Sequence, residues 1–252
     1  MKRIILISLI ILIGCQSYDK TEINKYGIYK EIKSFKVIDY KVLKDKVKDT
    51  IRTKVFKYNN KGQLIYSNIK SNKTDNEYIT EYQYNSKKEL IKEIGKGNEI
   101  NEPIVVEYSR QNDTLVIFQS EIFEKDDNVI YKISGKEIYN SKNELERSET
   151  KNFHINLTTK DTINNSETIY LYNKGFVYKS NWISHDTMIP SSEYEYFRNS
   201  DNLIVKIIEI QEKKEIESTM EYEFDNFDSW IKQSVFENGK LRRIKERIIE
   251  YK

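Results

Sequence analysis

An internal repeat constrains the fold of this chain more than any other feature of its sequence. Each unit has a pair of residues two positions apart, mostly aromatic, followed by Asn or Asp, a short polar turn and an apolar residue. The clear copies occupy residues 56–64, 82–90, 137–145 and 222–230. The looser copies occupy residues 106–115, 170–176, 194–203 and 249–251. Units recur roughly every 24 to 33 residues, a period that is typical of modular arrays.

Each unit reads as a β-hairpin. Residues two apart share one face of a strand, so each Tyr-x-Tyr places two rings on one side and Glu, Gln or Lys on the other. Between the pair and the apolar residue lie turn-forming side chains, and the position that needs a left-handed backbone holds Gly62, Lys88, Asn143 or Asp228. Eight such units predict about fourteen to sixteen antiparallel strands in a meander.

The predicted fold class is therefore all-β, an antiparallel meander of repeated hairpins that forms a curved, twisted sheet without a helical domain. The complete absence of Ala, the best helix former, agrees with this. We expect the sheet to be open or partly closed, because its edges are rich in Lys and Glu and can stay unpaired in water.

A second turn signal marks the opposite end of the units. Asp followed by Thr and an aliphatic residue occurs four times, with the threonines at Thr50, Thr114, Thr162 and Thr187. We expect each Asp to end a turn and each Thr to open a strand. Pro103 and Pro190 also precede expected strand starts, where a missing N–H is tolerated.

The repeat resembles the tyrosine-aspartate repeat proteins of bacterial surfaces, whose units read Tyr-x-Tyr-Asp, a few turn residues, Gly, any residue and Leu. Residues 56–64 match best, with Gly62 and Leu64 in register, whereas Asn mostly replaces the Asp of the family. The resemblance implies a curved array of hairpins that forms shells or stalks, and it implies no enzymatic activity.

The N-terminus has the pattern of an export signal. Lys2 and Arg3 precede an apolar run that is half the length needed to span a bilayer, and the run ends in Leu12-Ile13-Gly14-Cys15. This order resembles the lipobox of bacterial lipoproteins, and Cys15 is the single cysteine of the chain. The resemblance implies cleavage between Gly14 and Cys15 and acylation of Cys15 by palmitate-type chains that hold the protein on a membrane. The alternative is an ordinary secretory signal peptide with an incidental cysteine.

The predicted organisation is a signal peptide over residues 1–14, a flexible tether over 15–27 and a single repeat-based β domain over 28–252. Gln16 stands where some lipoproteins carry an Asp that retains them in the inner membrane, so we expect the outer membrane, with the leaflet open. Removing the signal takes away two positive charges, and the mature chain has no basic excess for nucleic acid.

Catalytic and metal motifs are missing from the sequence. His154 and His185 lie in different repeats, and neither has a partner at ligand spacing. The pair Gly95 and Gly97 lacks the rest of a phosphate or dinucleotide loop, so we expect it to form a hairpin turn. Residues 126–128 lack the spaced ligands of a calcium loop. We therefore predict no enzyme, no catalytic residue, no metal and no cofactor.

The aromatic stripe can either fill a core or present rings to a ligand. Structural use is the commoner role, with ring bodies buried and hydroxyls reaching polar partners. If the stripe or the tryptophans bind a ligand, the candidates are Tyr82, Tyr84, Tyr194, Tyr196, Trp182 and Trp230. Trp230 stands at the Leu position of the repeat and is expected in the core, whereas Trp182 is off pattern.

The four Asp-Thr-aliphatic triplets also resemble O-glycosylation sites of Bacteroidota envelope proteins. That resemblance implies sugars on Thr50, Thr114, Thr162 and Thr187, although the repeat itself already explains a turn followed by a strand at these places.

The sequence thus predicts a membrane-anchored envelope lipoprotein that acts as a non-enzymatic binding or structural module for a glycan, peptide or protein partner. Two alternatives stay open: an immunity lipoprotein that neutralises a toxin, and a half-barrel carrier of a lipid or a lipoprotein acyl chain. The carrier needs a concave face lined by aliphatic residues, whereas the repeat offers Tyr on one face and charge on the other.

Overall fold

The computed structural model describes residues 31–43, 48–98, 103–124, 129–156, 158–159, 161–186 and 189–252. The predicted signal peptide, Gly14, Cys15 and the predicted tether lie outside these residues. Residues 126–128 and Thr187 lie outside them as well.

Sixteen strands make up the described part of the chain. They are β1 (Ile32–Val42), β2 (Lys48–Tyr58), β3 (Leu64–Ser71), β4 (Glu77–Tyr84), β5 (Leu90–Gly97), β6 (Ile104–Asn112), β7 (Leu115–Glu124), β8 (Val129–Tyr139), β9 (Leu145–Asn156), β10 (Thr162–Asn173), β11 (Phe176–Ser184), β12 (Ser192–Arg198), β13 (Ile204–Gln211), β14 (Lys214–Phe224), β15 (Trp230–Glu237) and β16 (Lys240–Tyr251). The all-β class, the strand number and the meander of hairpins are confirmed.

The sheet closes on itself. Each strand pairs antiparallel with the next, and β1 pairs with β16 to complete a sixteen-stranded barrel. The expectation of an open or partly closed sheet is therefore wrong on this point. Closure gives both end strands hydrogen-bond partners, and charged side chains contact each other across the seam, as in the ion pair of Lys33 with Glu250 at 2.9 Å.

One rim of the barrel is built from the repeated turn. In five turns an Asn or Asp side-chain oxygen accepts hydrogen bonds from the backbone N–H groups two and four residues later. These turn anchors are Asn59, Asn85, Asn140, Asn199 and Asp225. The third residue after each anchor has a positive φ, including Lys88 at 69°, which is the least suited side chain for it.

The opposite rim follows the Asp-Thr signal less regularly. Strand β10 begins at Thr162 as expected, whereas β2 begins at Lys48 and β7 at Leu115, one residue after Thr114. Strand β12 begins at Ser192, and the expected start at Thr187 lies outside the described residues. Pro103 and Pro190 do precede the starts of β6 and β12.

Buried side chains fall on one face of the strands with few exceptions. This face is the inner wall, because no strand of the described residues lies outside the closed barrel. On β1–β8 the buried inner residues are mainly apolar, and we call them the apolar arc. They include Phe35, Val37, Phe56, Tyr78, Tyr82, Ile104, Val106, Val116, Phe118 and Ile133.

Two glycines make room for aromatic rings that belong to the apolar arc. A Cβ on Gly95 would lie 1.7 Å from the hydroxyl of Tyr78, and a Cβ on Gly135 would lie 2.2 Å from the ring of Phe118. Only glycine leaves room for these rings, so both positions serve packing. This assigns Gly95 to a strand, although the sequence pattern indicated a hairpin turn.

Candidate functional site

The inner wall of β9–β13 differs from the apolar arc because hydroxyl groups dominate it. The register aligns its side chains in two rows across five strands. One row is Ser148, Tyr170, Ser180, Tyr194 and Glu209, and the next is Thr150, Thr168, Trp182, Ser192 and Gln211. We call these residues, together with Ser166 and Tyr196, the hydroxyl arc.

Small and large side chains alternate within the hydroxyl arc. Ser148, Thr150 and Ser180 are each 4% exposed, whereas Trp182 and the tyrosines keep part of their surface accessible. The Tyr194 hydroxyl donates to the Glu209 carboxylate at 3.0 Å, and the hydroxyls of Ser180 and Tyr196 lie 3.0 Å apart. The arc therefore presents ring faces and polar groups side by side.

The tyrosines of this wall stay protonated at neutral pH. Burial raises the pKa of Tyr170, and burial also raises the pKa of Tyr196 and Tyr194. Neutral hydroxyls both donate and accept hydrogen bonds, so with Glu209 and the ring faces they can hold a polar, uncharged ligand such as a sugar or a peptide.

Three of the ligand candidates from the sequence come together here, and three do not. Trp182, Tyr194 and Tyr196 share the hydroxyl arc on adjacent strands. Tyr82 and Tyr84 lie on β4, where Tyr82 is 7% exposed and lies 3.2 Å from the Ser67 hydroxyl, and Tyr84 donates to the carbonyl of residue 64 at 2.9 Å.

Trp230 lies in the core at the Leu position of its repeat. It is 8% exposed, and the Arg247 guanidinium stacks over its ring at 3.4 Å from the centroid. Trp230 and Tyr82 therefore fill the wall in place of facing a ligand.

A second polar feature of the inner wall was missed by the sequence reasoning. On β16, β1 and β2 the side chains of Arg52, Lys54, Arg243 and Lys245 surround Asp39. We call these five residues the basic cluster. Arg243 contacts the Asp39 carboxylate through Nε at 3.3 Å and Nη2 at 2.5 Å, and Arg52 lies 3.7 Å from it.

The sequence did contain a signal for this cluster. Arg52 and Lys54 stand four and two residues before Phe56, respectively, which places all three on the ring-bearing face of β2. In the repeat, aromatic rings occupy one face of the strand and charged residues occupy the other. Charged residues on the ring-bearing face depart from this alternation, and such departures mark candidate sites.

The other predicted positions are scattered. His185 is exposed between β11 and β12, and His154 lies in β9. Thr50 lies in β2, Thr114 is exposed in a turn, and Thr162 opens β10. No three His, Cys, Asp or Glu side chains of the described residues converge as a metal site would require.

The outer wall is charged along the strands. Strand β14 by itself carries four exposed glutamates that face outward: Glu215, Glu217, Glu221 and Glu223. Cross-strand ion pairs line this wall in the described part of the chain, among them Lys48–Glu246, Lys92–Glu107, Lys132–Glu121, Lys136–Glu149, Lys151–Glu167, Lys179–Glu193, Lys206–Glu217 and Lys232–Glu223. Apolar residues lie among these charges, as at the paired Ile94 and Val105 and at Ile117 beside Leu115 and Ile138.

No helix in the described ranges is long and apolar enough to cross a bilayer. No protein-family model and no curated protein matches the sequence. Among solved structures, the chain is similar to a porin-like protein from Bacteroides vulgatus, with 10% identity and a TM-score of 0.50, over 89% of this chain and 99% of that one. A porin-like protein from Bacteroides uniformis matches with 13% identity and a TM-score of 0.34, over 87% and 96%. The first likeness establishes the β-barrel fold.

Proposed function

We propose that this chain is a lipid-anchored barrel of the bacterial envelope that stands in water beside the outer membrane and binds a ligand on its inner wall without catalysis. The charged outer wall is the observation that carries the proposal. A barrel that spans a bilayer needs an apolar band about 25 Å tall facing the lipid, and Lys or Arg at the midplane costs about 2–4 kcal/mol each.

Strand β14 makes the point most clearly. Its outer face offers Glu215, Glu217, Thr219, Glu221 and Glu223 in succession, which leaves no length of apolar surface for lipid. Paired Lys and Glu side chains suit a surface that faces water. Membrane attachment then has to come from the N-terminus, where acylated Cys15 supplies it.

Fractionation of cells that produce the Cys15→Ser variant tests this arrangement. The wild-type chain should sediment with the outer membrane, and the variant should move to the soluble envelope fraction because it has lost its anchor. Retention of the variant in membranes after an alkaline carbonate wash would contradict the proposal, since a spanning barrel needs no lipid anchor.

The hydroxyl arc supports a glycan as the ligand. It combines partly exposed rings of Trp182, Tyr194 and Tyr196 with the Glu209 carboxylate, a combination that fits the faces and hydroxyls of a sugar. Affinity capture of envelope glycans should succeed with the wild-type chain and fail with Trp182→Ala. A matched Trp230→Phe change in the core should leave capture intact, and equal capture by Trp182→Ala would contradict this ligand class.

The two alternatives fare differently. An acyl-chain carrier needs open aliphatic lining, whereas Phe35, Ile104, Phe118 and Ile133 of the apolar arc are only 1–2% exposed because they pack against one another and their neighbours. The apolar arc therefore disfavours the carrier. The immunity role stays a prediction, and recovery of one protein partner in the capture experiment would support it.

A further inference from the structure

The basic cluster has a charge arrangement unlike the rest of the barrel. On the outer wall each lysine of the ion pairs named above contacts at least one glutamate, although Glu149 also contacts Arg147. Within the basic cluster four cationic side chains surround one carboxylate, that of Asp39, and the adjoining register position adds Lys41 and Asp49, whose charges offset each other. A purely structural cluster would be expected to balance its charges, as the outer wall does.

The register shows how the cluster is built. Arg52, Asp39 and Lys245 lie side by side on β2, β1 and β16. Lys54 is two residues along β2 from Arg52, and Arg243 is two residues along β16 from Lys245. Because side chains two apart share a face, all five groups project from one patch of the inner wall.

Asp39 positions the two arginines. Its side chain is 5% exposed, whereas the side chains of Arg52 and Arg243 are 23% and 40% exposed. The two guanidinium groups therefore keep donor atoms free of Asp39 and open to a further acceptor. Guanidinium forks match the oxygen geometry of phosphate and sulfate.

The environment of Lys54 and Lys245 disfavours the charged form of both side chains. Burial and the neighbouring Arg52 lower the pKa of Lys54 to about 8. Burial also lowers the pKa of Lys245 to about 8, and Arg243 adds to the effect while Asp39 opposes it. Both side chains retain some accessible surface, so an entering anion could contact them and stabilise their charged form.

We propose that the basic cluster is a binding site for a tetrahedral oxyanion, the phosphate or sulfate ester group of the ligand that enters the barrel. Arg52 and Arg243, oriented by Asp39, hold the oxygens, and Lys54 and Lys245 supply charge. The inference deepens the proposed binding function by naming an acidic group on the ligand, in addition to the neutral contacts of the hydroxyl arc.

Calorimetric titration of the full chain in detergent micelles tests the site at fixed ionic strength, because salt screens such contacts. The probes are inorganic phosphate, inorganic sulfate, glucose 6-phosphate and glycerol 1-phosphate, with glucose and glycerol as uncharged controls. The double variant Lys54→Gln with Lys245→Gln should bind the charged probes at least tenfold more weakly. The matched double variant Lys179→Gln with Lys206→Gln, which removes the same charge from the outer wall, should bind like the wild type.

A second variant guards against misfolding. Lys54→Glu supplies the missing carboxylate inside the cluster, so the barrel should stay folded while phosphate affinity falls further than in the glutamine variant. A measured rise in the pKa of Lys54 and Lys245 on adding phosphate to the wild type would place the anion beside them.

The outcomes separate the sources of the anion. Tightest binding of glucose 6-phosphate supports an acidic glycan, tightest binding of glycerol 1-phosphate supports a lipid headgroup, and equal binding of the phosphates supports recognition of the ion alone. Binding no better than that of glucose and glycerol, or an equal loss in the outer-wall variant, overturns the site. Such a failure would leave the Cys15→Ser and Trp182→Ala results untouched, so it is distinguishable from failure of the proposed function.

Discussion

The apolar arc and the hydroxyl arc belong to one barrel with the same strand pairing and the same type of outer wall. They differ in their buried inner side chains, which are mainly apolar in the first arc and mainly hydroxyl-bearing in the second. Phe118 and Ile133 are 1% and 2% exposed in the first, and Ser180 and Thr150 are both 4% exposed in the second. Between Leu145 and Leu203, no described apolar side chain is fully buried. The extent of burial therefore does not distinguish the apolar arc from the hydroxyl arc. The two arcs differ in the chemical type of the buried side chains.

The difference has an energetic meaning. Full burial of an apolar side chain contributes about 1.5–3 kcal/mol, whereas a buried hydrogen bond contributes about 0.5–1.5 kcal/mol. The apolar arc should hold most of the folding free energy, and the hydroxyl arc should open more easily and be free to recognise a ligand.

The largest expected effect breaks the apolar arc. Phe118→Ala removes a ring that packs on Tyr108 at 5.6 Å between centroids, and we expect it to lower the free energy of unfolding by about 3–5 kcal/mol. Trp182→Ala, a deletion of similar size in the hydroxyl arc, should cost clearly less because that side chain is partly exposed. Denaturant titration measures both, and equal losses would erase the distinction between the arcs.

The next largest effect comes from overpacking the apolar arc at Gly135. In Gly135→Ala the new methyl group would meet the Phe118 ring and the Glu149 carbonyl oxygen, each at 2.2 Å, so a loss of about 1–3 kcal/mol is expected. Ser134→Ala, one residue away on the outer face, is the control and should stay within about 0.5 kcal/mol of the wild type. An unchanged melting temperature in Gly135→Ala would show that the ring is loosely packed.

The turns should not distinguish the arcs. Asn140→Ala and Asn199→Ala each remove an acceptor for two backbone N–H groups, and both should lower the free energy of unfolding by about 1–2 kcal/mol. Asn140→Asp should retain most of the stability, because Asp225 fills the same role in its own turn. Thermal melts of the three variants check this, and a loss confined to one arc would mean that the turns contribute unequally around this rim.

The smallest effect concerns the outer wall. A double-mutant cycle on Lys136 and Glu149 should give a coupling of about 0.2–1 kcal/mol, and the same cycle on Lys206 and Glu217 should agree with it. Both couplings should shrink at high salt. Couplings well above this range would indicate that the pairs are shielded from water, as a membrane or a partner surface would shield them.

The repeat was sufficient to predict the hairpins, because each turn is a local structure whose Asn, polar loop and left-handed residue lie within a few positions. Closure was not predictable in the same way. The seam joins residues such as Val37 and Arg247, which are distant in the chain, and β1 carries no clear copy of the repeat to mark it as a neighbour of β16.

The site was predicted only in part for a related reason. Trp182, Tyr194 and Tyr196 were identified from their rings, but the serines beside them have no distinguishing pattern in sequence. The basic cluster combines residues from the first two strands and the last one, so its charge imbalance becomes visible only when the barrel closes.

Cysteine labelling tests most directly the claim that the barrel stands in water. In intact membranes that contain the anchored chain, Ile117→Cys and Lys179→Cys on the outer wall and Ser141→Cys in an exposed turn would be treated with a water-soluble maleimide. We expect all three positions to react at similar rates if the outer wall faces water as proposed. Reaction of Ser141→Cys alone, with the two wall positions protected until the membrane is dissolved, would show that lipid surrounds the barrel and would contradict the account.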